Sequence, residues 1–210
     1  MSFAKSERKK LAETLHSVGP DAVTLCDGWS AHDLLAHLWL RETDPLAALG
    51  MFFPPLAKRT IRRMDEVKGE YEFDELVDKY AAGPHGVFRF SKLDELGNTL
   101  ECFVHHEDLL RGDGDKTPRL LPKNHEDVLW KVAKKLAKAR LRRFKRGVIL
   151  ERGGQWGGET ESVSLGSEPI TISGEPGELV LLLFGRGRSA SYECSGKDAE
   201  KALAKLKLDV

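Results

Sequence analysis

Apolar residues recur every three or four positions through the first two-thirds of the chain, then give way to short alternating runs punctuated by glycine. The first pattern predicts helices and the second strands. Leu11 and Leu15 fall on one face of a helix expected over residues 3–17, which Gly19-Pro20 ends. In GWSAHDLLAHLWL, Ser30 is placed to cap a second helix with Asp33 three residues on, and Leu34, Leu38 and Trp39 form its apolar stripe. Pro45, Gly50 and Pro54-Pro55 interrupt the next stretch of chain, and 56–67 and 73–82 read as shorter amphipathic helices. A helix over 92–110 carries Leu93, Leu96, Leu100, Val104 and Leu109 and runs into the loop RGDGDKTPR. Another is expected from Asn124 to about Arg146, through Leu129, Val132, Leu136 and Leu141.

After Gly147 the segments VILERGG, ETESVSL, PITISG and SASYECSG read as strands, with helical PGELVLLLFG before the last strand and DAEKALAKL as a closing helix. The predicted organisation is therefore α+β: a helical bundle over 1–146 followed by a small α/β domain over 147–210. No internal repeat is visible.

The 210 residues are enough for one large domain or two small ones, and 40% hydrophobic content supports a buried core. Lysine plus arginine (33) balance aspartate plus glutamate (33), so no global field draws the chain toward nucleic acid or an acidic membrane. Nine of the sixteen residues 131–146 are Lys or Arg, which could neutralise phosphates, but few aromatics interleave them. A solvated helix face is the expectation, and nucleic acid is not expected as a partner. Cys26, Cys102 and Cys194 form no CxxC pair, which fits a reduced, cytoplasmic setting. The charged start MSFAKSERKK lacks a signal-peptide core, and LVLLLF is too short to span a bilayer, so no membrane association is expected.

The candidate chemistry lies in ECFVHHED, residues 101–108. Glu101 and His105, four apart, share one helix face and can bite a single metal ion. A helix-stabilising pair is the ordinary alternative. His37, among Leu34, Leu35 and Leu38, is the best third donor, although a histidine in that setting can also be a satisfied core residue. Two imidazoles and a carboxylate suit a divalent ion and leave coordination positions open, as a catalytic site requires. Cys102 with His106 is the chief rival pair. On a helix, His106 lies about 140° round from Glu101, too far to share its ion easily. Cys26, Trp29 and Trp39 read as packing residues.

TLCDGWSAHDLLAHL, NTLECFVHHEDLLRG and ISGEPGELVLLLFGRGRSA together resemble the mycothiol-dependent maleylpyruvate isomerase family, most closely a metal-binding branch of it. The resemblance implies an N-terminal DinB-like four-helix bundle that binds a divalent metal, commonly zinc, followed by a small C-terminal α/β domain. Its metal ligands match His37, Glu101 and His105. An arginine from its C-terminal domain matches Arg186 in LLLFGRGR, chosen over Arg188. The function implied is a metal-dependent transferase or isomerase that uses mycothiol, a small-molecule thiol, on a small electrophile. A homodimer is also compatible, as such bundles often pair. The alternative is a metal-binding or sensor protein without turnover. The sequence leaves the native metal and the substrate open.

Overall fold

A computed structural model describes residues 2–44, 50, 53–83, 94–141, 144–164 and 166–204. Among them the chain forms two compact units, Met1–Asp113 and Gly114–Val210.

The first unit is helical: α1 (Phe3–Val18), α2 (Ala31–Thr43), α3 (Ala57–Glu70), α4 (Phe73–Ala82) and α5 (Asp94–Leu110). Its α1 packs against α5 and α4, and α2 packs against α3 and α4. Leu11, Leu15, Leu34, Leu38, Met64, Val67, Leu76 and Leu109 meet in one buried cluster. These are the residues that the three-to-four spacing places on inward faces. The capping box forms as the sequence predicts: the Asp33 amide donates to Ser30 Oγ at 3.4 Å, and the Ser30 amide donates to Asp33 Oδ2 at 3.0 Å. That cap sets where α2 begins, and so which way His37 and Arg41 face. The interruption expected at Pro45 and the first two residues of the helix expected over 92–110 lie outside the described residues.

The second unit begins with α6 (Lys123–Leu141) and continues through β1 (Arg146–Arg152), β2 (Thr160–Ser164), β3 (Ser167–Gly174), α7 (Pro176–Leu181), β4 (Glu193–Ser195) and α8 (Ala199–Ala204). The strands form one mixed sheet in the order β2-β1-β3-β4, with β1 parallel to β3 and the other two pairings antiparallel. Val148 pairs with Ile170 and Leu150 with Ile172, and all four are buried. A fold with a helical first part and a mixed sheet with helices after it is what the sequence predicts. The compact units divide at a different place from the change in periodicity. Helix α6 packs on α7, β1 and β2, with Leu129, Val132, Ala133, Ala137 and Leu141 buried, so it belongs to the sheet's unit. The basic face of α6 is partly neutralised there: Lys134 and Lys138 both approach the Glu161 carboxylate on β2, at 3.7 and 2.5 Å. This pairing favours a surface helix over a phosphate-binding stripe. Among the described residues no helix is long and apolar enough to cross a membrane.

Near the start of α6, Glu126 is buried with Arg152, Asp127, Glu175 and Glu178 as charged neighbours. Burial, then the charge of Glu175, pushes its carboxyl up to about 7, with Arg152 opposing. A carboxyl raised in the folded state favours the fold while protonated, and that contribution is lost as pH climbs from the ordinary carboxylate range through about 7. We therefore expect Glu126→Gln to be more stable than wild type at about pH 8, with the difference shrinking toward about pH 4. Urea midpoints across that range check it. A pH-independent difference would contradict the assignment.

Candidate metal centre

Helix α5 carries a polar stripe, Asn98, Glu101, His105 and Asp108, whose spacing of three, four and three keeps all four on one side. Helix α2 faces it with His37 and Arg41, again four apart. The Glu101 carboxylate is divided between them. Its Oε2 lies 3.3 Å from His105 Nε2 and 3.9 Å from His37 Nε2, while Oε1 lies 3.6 Å from Arg41 Nε. Arg41 is itself held by donating to Asn98 Oδ1 at 3.0 Å. The two imidazoles meet nearly edge to face, with centroids 5.2 Å apart, and Trp29 packs against His37 at 5.3 Å.

One donor atom each from His37, Glu101 and His105 lies within 4.8 Å of the other two. Bonds of about 2.0–2.1 Å in tetrahedral geometry would set donors about 3.4 Å apart. The spacings to Glu101 Oε2 are of that size, so the donor set fits a divalent ion. His37 and His105 are buried, whereas the Glu101 side chain keeps 14% exposure and marks the side open to solvent.

The surroundings set the charge of each donor. Burial lowers the pKa of His37 and outweighs the pull of the nearby Glu101 carboxylate, so its imidazole is neutral and ready to ligate. For Glu101 burial acts upward, but the imidazoles of His105 and His37 close to its carboxylate overcome it and hold the carboxyl far below its ordinary range. For His105 burial acts downward, and hydrogen bonds with Asp108, Cys26 and Glu101 together raise it well above the usual imidazole value. In the metal-free protein, then, His105 is an imidazolium between carboxylates, and an ion must displace its Nε2 proton.

Asp108 is the residue that sequence reasoning passed over. Its Oδ2 lies 2.9 Å from His105 Nδ1 and fixes which ring nitrogen turns toward Glu101. The signal was present, because Asp108 follows His105 by three on the same helix face. The same oxygen accepts from Cys26 Sγ at 3.2 Å. Cys26 does pack against the apolar cluster, as expected, but its thiol also belongs to this carboxylate. The loop that carries it is tied to α5 by the Leu25 amide donating to Asp108 O at 2.9 Å. Gly112 permits that approach, since a Cβ there would lie 1.9 Å from Val23 O. In the turn itself the Trp29 amide donates to Cys26 O, and Gly28 takes φ +73° at the third position, which accounts for the C-x-G-W pattern.

The rival pair is engaged elsewhere. Cys102 Sγ lies 3.4 Å from Tyr80 Oη, and His106 bridges Glu7 Oε1 at 2.8 Å and Thr14 Oγ1 at 2.9 Å on α1. Trp39 stacks edgewise on Tyr71. Arg186 is in the second unit, its guanidinium 5.4 Å from the Phe184 ring centre and donating to Phe184 O at 3.2 Å.

No family model matches the chain, and no curated protein matches it. Among solved structures it is similar to one described as the crystal structure of the mycothiol-dependent maleylpyruvate isomerase, with a TM-score of 0.47 and 15% identity over 91% of this chain and 88% of that one. The likeness assigns neither a residue nor an activity.

If Asp108 orients His105, Asp108→Asn should weaken divalent-metal affinity by about 10–100-fold while leaving helix content unchanged. Titration with zinc against a chromophoric chelator measures the first and circular dichroism the second. Unaltered affinity would show that the carboxylate has no part in presenting the ligand.

Proposed function

We propose that the protein is a divalent-metal-dependent enzyme that uses a low-molecular-weight thiol, mycothiol, in a transfer to or isomerisation of a small electrophile. The observation that carries the metal is the convergence of His37, Glu101 and His105, two neutral-capable imidazoles and a carboxylate with Arg41 and Asp108 as charged supports behind them. Three protein donors leave room for an exogenous ligand, whereas a structural zinc would take four. Zinc suits the set, and other divalent ions do so as well.

A divalent ion in such a site lowers the pKa of a thiol or water that binds it. The protein's own groups do the rest. His37 and His105 present ring nitrogens, Glu101 supplies negative charge, and Arg41 on its second oxygen tempers that charge and keeps the carboxylate from swinging away. Asp108 takes the Nδ1 proton of His105 in a hydrogen bond and so keeps that nitrogen turned away from the site. The thiol and the role of Arg186, to steady an anionic group of the substrate, rest on the sequence resemblance alone.

Metal analysis of purified protein is expected to find about one divalent ion per chain, and His37→Ala or Glu101→Gln to lose most of it. Loaded protein should then accelerate the reaction of mycothiol with one or more of a panel of small electrophiles, and His37→Ala should not. Metal retained by His37→Ala as fully as by wild type would remove the basis of the reading. Metal and thiol binding without turnover would point instead to the sensor alternative.

A further inference from the structure

His105 has two ring nitrogens, and only Nε2 faces His37 and Glu101. On the Nδ1 side stand a thiol and a carboxylate. Cys26 Sγ and Nδ1 both share Asp108 Oδ2, at 3.2 and 2.9 Å, and donor atoms of the three residues lie within 4.8 Å of one another. Asp108 is fully buried and His105 nearly so, while Cys26 is half-buried and gives the group a route to solvent. Two protons, one on nitrogen and one on sulfur, thus converge on a single carboxylate oxygen.

We infer that Cys26, Asp108 and His105 Nδ1 form a second cation site, selective for a thiophilic divalent ion such as zinc, cadmium or cobalt, adjacent to the His37–Glu101–His105 centre and joined to it through the His105 ring. The exchange balances: one divalent ion enters, the thiol and the Nδ1 position each release one proton, and the net charge of the buried group is unchanged. That equality matters where burial penalises any added charge. The donor chemistry is distinct from the first centre's, because a thiolate favours soft ions over the hard ions that carboxylate and water accept. The loop geometry supports it as well. The Leu25–Asp108 backbone bond and the close approach at Gly112 hold Cys26 against α5 independently of any ion, so the site needs no folding of the loop around its ligand.

Cobalt titration of the full chain tests the proposal, since cobalt bound to sulfur has a charge-transfer absorption that cobalt bound only to nitrogen and oxygen lacks. The first equivalent should bind without that band and a second should bring it in. The band should be absent in Cys26→Ser and persist in His37→Ala, which separates this site from the centre on which the proposed function depends. As a check that does not rely on a variant, cadmium added to wild-type protein should protect Cys26 from alkylation by iodoacetamide, read by peptide mass mapping. The proposal is overturned if cobalt binding shows no sulfur band, if the band survives in Cys26→Ser, or if cadmium leaves the alkylation of Cys26 unchanged.

Discussion

The candidate site in the first unit is organised around one largely buried negative charge, that of Glu101. A carboxylate removed from water is stable only when its oxygens are met by donors or cations, and Glu101 is met on both. Its Oε2 faces two imidazoles and its Oε1 faces Arg41. Each of those partners depends on a separate piece of chain: His37 and Arg41 on the cap that starts α2, His105 on the pitch of α5, and the His105 ring orientation on Asp108. Removing the charge would leave imidazoles and a guanidinium crowded together with nothing between them.

The same helix is pinned from its other sides. Cys102 meets Tyr80 on α4, and His106 meets Glu7 and Thr14 on α1. Nearby, Arg8 forms a partly buried ion pair with Glu42 and stacks on Tyr80. Apolar side chains alone would tolerate small rotations of α5, whereas these directional bonds are satisfied together in one rotation. That is the rotation in which Glu101 and His105 point at α2. Packing and site geometry are in this respect one constraint, and it explains why two adjacent histidines, His105 and His106, have different surroundings and different uses.

Much of this was legible in the sequence because it depends on short-range rules. The Ser30–Asp33 cap, the stop at Gly19-Pro20 and the facing of Glu101 and His105 follow from helical pitch and local hydrogen bonding. His37 was legible only in combination, because a histidine among leucines can be a satisfied core residue and the Glu101–His105 pair on another helix is what made it a candidate third donor. What the sequence could not convey is which surface covers which. The apolar stripe of α6 shows that the helix is covered, and the structure supplies the cover, the sheet of the second unit. The setting of Cys26 likewise depends on a backbone bond between Leu25 and Asp108, far apart along the chain, and on the absence of a side chain at Gly112. Arg41 and Asn98 become meaningful only when α2 and α5 are seen face to face.

The central claim is that His37, Glu101 and His105 grip one ion. Anomalous diffraction from crystals of the zinc-loaded protein, collected on both sides of the zinc absorption edge, tests it most directly. The account predicts a peak within bonding distance, about 2.0–2.2 Å, of His37 Nε2, His105 Nε2 and a Glu101 oxygen. Zinc-loaded crystals with no anomalous peak among these three side chains, or with Glu101 still paired only to the imidazoles and Arg41, would contradict it.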